Sequence, residues 1–87
     1  MQTPITLLYF AWLRERTGAS EETFTLPPDV RTIGALIDVL RARGPGFASA
    51  FETPNLVRAA VNQVFARPET AVAPGDEVAF FPPVTGG

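Results

Sequence analysis

Glu77-Val78-Ala79-Phe80-Phe81 runs straight into Pro82-Pro83-Val84-Thr85-Gly86-Gly87. The first five residues are mostly apolar and β-prone, so they predict a strand over 77–81 that must be fixed in a sheet. Successive side chains of a strand point to opposite faces. Val78 and Phe80 therefore share one face, the candidate core side under a helix, and Glu77, Ala79 and Phe81 share the other. Phe81 is then a large apolar residue on a face that no helix covers. The tail begins with two prolines, which hold the backbone extended. Six extended residues reach roughly 20 Å. Gly86 and Gly87 carry no side chain, so the backbone there can enter a slot too narrow for any other residue. The α-carboxylate of Gly87 is the reactive group expected at this tip, ionised at neutral pH. A carboxylate is a poor acyl donor until one oxygen becomes a leaving group. The stretch reads as a rigid base, a stiff spacer and a bare tip that another protein activates and loads.

Working outward, residues 5–12 are rich in β-branched, aromatic and aliphatic side chains on both parities, which predicts a central strand. Residues 14–18 read as a turn, with Gly18 suited to a positive φ, and 22–26 as a second strand hairpinned to the first. Thr32 is a good N-cap, and Ile33, Leu36, Ile37 and Leu40 fall on one stripe of a helix. Arg41 and Arg43 complement its C-terminus, and Gly44-Pro45-Gly46 stops it. Gly34, unfavourable in a helix by roughly 1 kcal/mol, suggests a close approach of helix to sheet. Residues 47–51 are expected to form at most one helical turn, 56–61 a third strand, Asn62-Gln63 a tight turn and 64–66 a short return strand. Pro74-Gly75-Asp76 is the turn before the last strand, with Asp76 in a turn role.

The order strand, strand, helix, strand, short strand, strand predicts an α+β, β-grasp (ubiquitin-like) fold, a mixed sheet of four to five strands with one main helix. A ferredoxin-like arrangement needs a second substantial helix, which 47–51 is too short to supply. Residues 1–81 form the expected domain and 82–87 a flexible Gly-Gly tail.

With 87 residues the chain allows one modest core. Hydrophobic residues at 46% and charged residues at 18% indicate a globular chain. The net charge is −2 and no basic run occurs, so neither nucleic acid nor an anionic membrane is an expected partner. There is no cysteine and no histidine, which argues against disulfides, thiolate or Ser-His nucleophiles and the usual metal sites. No bound cofactor or metal is expected. All seven cationic side chains are arginine, leaving no lysine for attachment. No signal-like or membrane-spanning run is visible, and the expected location is the cytoplasm.

Three stretches carry a resemblance. They are Leu8-Tyr9-Phe10-Ala11 with Leu13-Arg14-Glu15 and Gly18; Ala59-Ala60-Val61-Asn62-Gln63; and the run from Gly75 to Gly87. In these the chain resembles the small subunits of molybdopterin synthase, the ubiquitin-like sulfur carriers called MoaD. The Phe80-Phe81-Pro82-Pro83-Val84-Thr85-Gly86-Gly87 ending carries most of it. The resemblance implies that an E1-like (MoeB-like) enzyme adenylates Gly87, and that a sulfur donor converts it from glycyl adenylate to 1-thioglycine, a thiocarboxylate. Sulfur then passes to cyclic pyranopterin monophosphate inside a MoaE-like large subunit, in a heterotetramer. The carrier itself is non-catalytic. On this reading Gly86 keeps the tail thin, and Pro82, Pro83, Val84 and Thr85 lie along the partner's channel. Phe10, Phe65 and Phe81 form the partner-binding face; the alternative for Phe10 and Phe65 is a place in the core. Arg14 is the candidate partner for an acidic group. Competing readings are a carrier for thiamine or tRNA thiolation, a protein modifier, or a plain interaction module.

Overall fold

The computed structural model describes residues 3–53 and 56–83. The candidate tail positions Val84, Thr85, Gly86 and Gly87 lie outside the described residues. Five strands, β1 (Ile5–Tyr9), β2 (Glu21–Phe24), β3 (Arg58–Val61), β4 (Val64–Ala66) and β5 (Glu77–Phe81), form one mixed sheet in the order β2-β1-β5-β3-β4. β5 runs parallel to β1 and antiparallel to β3, so the last strand in sequence is the middle strand in space.

The main helix, α2 (Ile33–Arg41), starts where expected. Thr32 has extended backbone and its hydroxyl accepts a hydrogen bond from the Ala35 N–H at 3.2 Å. Its buried stripe is Ile33, Leu36 and Leu40. These pack against Ile5, Leu7 and Tyr9 of β1 and Val78 and Phe80 of β5 to form the core. Phe80 stacks on Tyr9 at 6.1 Å between ring centroids and meets Phe51 edge-on at 5.0 Å.

One helix is not expected from the sequence and a second starts earlier than expected. The first strand ends at Tyr9, and Trp12–Thr17 is α1, closed by Gly18 in the left-handed region. Residues 14–18 are thus a helix and its cap rather than a turn. The break is made at Ala11, whose φ of 57° ends the strand. Pro45–Ala50 is α3. Pro45 does stop α2, but it also occupies the first turn of the next helix, where its missing N–H is no loss.

Gly34 approaches a loop rather than the sheet. Its N–H donates to the Pro68 carbonyl at 2.8 Å, and a Cβ there would sit 3.2 Å from that oxygen. Asn62 and Gln63 both have positive φ, as a two-residue hairpin turn of type I′ requires. Asn62 Oδ1 accepts from the Glu77 N–H, its Nδ2 donates to Asp76 Oδ1, and Asp76 Oδ2 accepts from the Ala73 N–H. Asp76 has the expected turn role and also ties the hairpin to the start of β5.

On the far edge, Glu22 of β2 receives both Arg43 Nη atoms at 3.0 and 3.1 Å and the Tyr9 hydroxyl at 2.8 Å. Arg43 also lies 4.5 Å from the Phe47 ring centre. Partial burial pushes the Glu22 carboxyl up, but the hydrogen bonds from Arg43 and Tyr9 outweigh it and hold the group below the usual glutamate range. Burial, then the neighbouring Glu22 carboxylate, pushes the Tyr9 hydroxyl above its ordinary range. Among the described residues no helix is long and apolar enough to cross a membrane.

Candidate functional site

The tail leaves from the best-supported strand of the sheet. β5 is paired on both sides as far as Phe80, and Phe81 pairs with Arg58 on the β3 side. Beyond β1 the ladder continues, with the Phe10 N–H donating to the Phe80 carbonyl at 3.0 Å. Pro82 and Pro83 are half-buried and line a cleft of about 420 Å³ with Trp12, Arg16, Ser49 and Leu56. The cleft wall is the junction of α1 with α3. Arg16 Nη1 donates to Ser49 Oγ at 2.7 Å, and the guanidinium stands 5.1 Å from the Trp12 ring centre. Gly46 lets the two helices touch, because any Cβ there would collide with the Arg16 carbonyl. The root of the tail is therefore seated in a preformed cradle.

The second half of the site is the sheet face opposite α2. Phe81 is half-buried and its ring centre is 5.9 Å from that of Phe65, which is 82% exposed. Phe10, 48% exposed, follows β1 on the parity of Leu8. The cross-strand pairs Leu8↔Ala79, Ala79↔Ala60 and Ala60↔Phe65 form a row across this face. The two alanines in the middle leave it low between larger side chains. Phe65 and Phe81, with Arg58, Ala59 and Ala66, line a depression of about 290 Å³. An exposed aromatic pair beside a shallow depression is suited to receiving apolar side chains of a protein partner.

With this geometry in view, the comparisons decide the family. Residues 7–87 match the ThiS family. The chain belongs to the ThiS family. The molybdopterin synthase sulfur carrier subunits of Haemophilus influenzae and Escherichia coli are each 41% identical to it over 83 residues, covering 95% of this chain and 99% of theirs. The crystal structure of small archaeal modifier protein 1 from Haloferax volcanii superposes with a TM-score of 0.77 at 28% identity, covering 94% of this chain and 99% of that one. The α+β, β-grasp expectation and the resemblance to the molybdopterin synthase small subunits both hold.

In this ThiS-family chain Phe10, Phe65 and Phe81 stand on one face, and the core alternative for Phe10 and Phe65 is overturned by their exposure. Parity fixed that outcome, since each shares its strand register with residues facing away from α2. Arg14 is exposed on α1 and lines neither the cleft nor the depression. Trp12, Arg16, Ser49 and Leu56 were missed as residues that seat the tail. Trp12 and Arg16 are four apart, the spacing of neighbours on one helix face, but in the sequence Trp12 continues the apolar run of the first strand. Among the described residues there is no group of three or more Asp, Glu, His or Cys side chains able to hold a metal, and no unpartnered buried side-chain polar atom.

Proposed function

We propose that this protein is a sulfur carrier acting as the small subunit of molybdopterin synthase, with Gly87 as the group that carries sulfur. The observation behind this reading is continuity. A central strand held on both sides runs into a seated proline pair, inside a family match that extends through Gly86 and Gly87. The curated relatives from Haemophilus influenzae and Escherichia coli are named for that role.

The chemistry requires two displacements. The Gly87 carboxylate attacks the α-phosphorus of ATP and pyrophosphate leaves, giving a glycyl adenylate. A sulfur nucleophile from the donor then attacks the carbonyl carbon and AMP leaves. If the donor is a persulfide, a thiol must reduce the resulting disulfide to free the thiocarboxylate. That sulfur bonds to a carbon of cyclic pyranopterin monophosphate, and water then cleaves the resulting thioester at the Gly87 carbonyl, leaving the sulfur on the pterin and regenerating the carboxylate. An E1-like, MoeB-like enzyme supplies the first step, and a MoaE-like large subunit houses the last in a heterotetramer in the cytoplasm. Phe10, Phe65 and Phe81 supply apolar contact to these partners, Arg14 meets an acidic group, and Pro82, Pro83, Val84 and Thr85 occupy the channel. Gly86 keeps the tail thin enough to pass.

The test is mass spectrometry of the full chain after incubation with an activating enzyme, ATP and a sulfur donor. The expected product has one oxygen of Gly87 exchanged for sulfur and converts the pterin precursor when the large subunit is added. No exchange with an enzyme that loads a known carrier would refute it. The structural likeness to small archaeal modifier protein 1 supports a second reading, a protein modifier. Covalent adducts on lysines of other proteins, with no transfer to the pterin, would select it.

A further inference from the structure

Pro82 and Pro83 have no N–H to donate, so the ladder that holds β5 through Phe81 cannot carry the tail any further. The direction in which the tail leaves must be set by side-chain contact. Both prolines are half-buried and line the cleft where α1 meets α3. In its wall Arg16 Nη1 donates to Ser49 Oγ at 2.7 Å and to the Ser49 carbonyl at 3.3 Å. The same guanidinium lies 5.1 Å from the ring centre of Trp12, one turn earlier on α1. A surface arginine ordinarily stays mobile in solvent, because ordering its long side chain costs entropy. Arg16 is exposed, yet it is held by a second helix and by an aromatic face at the point where the tail departs. No carboxylate pairs with it among the described residues, so charge neutralisation does not account for its place.

We infer that Trp12, Arg16 and Ser49 are positioning residues that aim the tail. The inference rests on the sulfur-carrier reading above and adds a division of labour to it. The face of Phe10, Phe65 and Phe81 captures the activating enzyme, and the Arg16 latch sets where Gly87 arrives once that enzyme is held. Gly87 is four residues past Pro83, up to about 14 Å along an extended chain. A tilt of about 10° at the root then moves the tip by roughly 2 Å. The step concerned is adenylation, in which a carboxylate oxygen of Gly87 bonds to the α-phosphorus of ATP and the bond to pyrophosphate breaks. It needs that oxygen in line with the leaving group, and a misplacement of about 1 Å lowers such a rate by about a hundredfold. Gly86 and Gly87 absorb part of the error, so a loss of about tenfold is expected when the latch is opened. The loss falls on kcat, because capture by the aromatic face is untouched.

The experiment follows ATP–pyrophosphate exchange by an activating enzyme against the concentration of the full chain, which gives KM and kcat for adenylation of Gly87. Each variant is first shown to melt above the assay temperature. Arg16→Ala should lower kcat by about tenfold and change KM by less than about twofold. Arg16→Lys, which keeps a donor and a cation over Trp12, should recover part of the loss. Ser49→Ala, which removes one acceptor, should fall between Arg16→Ala and the parent. Phe81→Ala should raise KM instead. A double-mutant cycle reads the route through the prolines. With Pro82→Gly and Pro83→Gly in place the tail is no longer aimed, so adding Arg16→Ala should cost nothing more. Unchanged kinetics in Arg16→Ala, a rise in its KM with kcat kept, or an undiminished further loss in the Pro82→Gly, Pro83→Gly background would overturn the inference and leave the carrier reading standing. A parent chain that supports no exchange, with an enzyme that adenylates a known carrier, would overturn the carrier reading and the inference with it.

Discussion

Phe80 and Phe81 are neighbours with the same side chain on the same strand, and they do opposite work. Phe80 is fully buried, stacked on Tyr9 and met edge-on by Phe51 beneath the helices. Phe81 is half-buried on the far face, leaning on a Phe65 that is largely in solvent. Burial on one face of the sheet is closed by the chain itself. On the other face the aromatic pair is left partly open to solvent. The contrast follows from strand geometry alone, because one step along β5 changes the face. It also shows that side-chain hydrophobicity does not mark a core residue unless its direction is known.

The largest effect should come from the closed face. Phe80→Ala removes a ring with no route for water to replace it and should destabilise the fold by about 3–5 kcal/mol. Leu36→Ala, fully buried on α2, should lie at about 2–5 kcal/mol. Phe81→Ala should lower stability by about 1 kcal/mol or less, yet weaken capture of a large subunit by about tenfold or more. Urea unfolding read beside partner titration separates the two columns. Equal destabilisation by Phe80→Ala and Phe81→Ala would break the comparison, because it would place both rings in one core.

Gly46→Ala tests the tail mount against the same contrast. Its new methyl group meets the Arg16 backbone carbonyl, which cannot swing aside as a flexible side chain would, so α1 and α3 must part. A loss of about 1–3 kcal/mol is expected. The amides of Trp12 and Arg16 should shift with it, while those of Phe65 on the open face should not.

Much of this arrangement was legible in the residues. The strand over 77–81, the short strand over 64–66, the Asn62-Gln63 turn and the Thr32 cap all carry local signals strong enough to survive tertiary context. α1 was hidden because Ala11 and Trp12 extend an apolar run, and only Leu13 of its six residues is fully buried, too few to show a helical stripe. α3 was shortened because Gly44-Pro45-Gly46 reads as a stop before it reads as a start. The open face was legible through parity, whereas the cradle under Pro82 and Pro83 was not. That cradle exists only where a helix hidden in the sequence meets one that the sequence shortens.

The edge pair formed by Glu22 and Arg43 gives a smaller, pH-dependent effect. Glu22 is held below its usual range in the fold, so its contribution is present above the unfolded value of about 4.5 and is lost as pH falls through the folded one. Glu22→Gln should therefore melt below the parent at neutral pH. The difference should shrink as the medium is acidified, in melts recorded at a series of pH values. A gap that persists in acid would mean that Glu22 acts through packing, like the residues of the closed face, and not through its charge.

The smallest expected effect concerns how Phe10 reaches the open face at all. Ala11, directly after it, has φ 57° and ψ −133°, a conformation that glycine adopts freely and alanine does not. This residue turns the chain from β1 into α1 and leaves Phe10 outward while Leu13 goes into the core. Replacing alanine by glycine elsewhere lowers stability by about 0.4–1 kcal/mol through the unfolded chain. At Ala11 that penalty is opposed by relief of strain of order 1 kcal/mol or more. Ala11→Gly should therefore be neutral or slightly stabilising in urea unfolding, against the usual sign. A loss as large as that of an ordinary alanine-to-glycine change would show that the junction is relaxed. The outward set of Phe10 would then have to be traced to the pull of α1 on the chain, not to the backbone at Ala11.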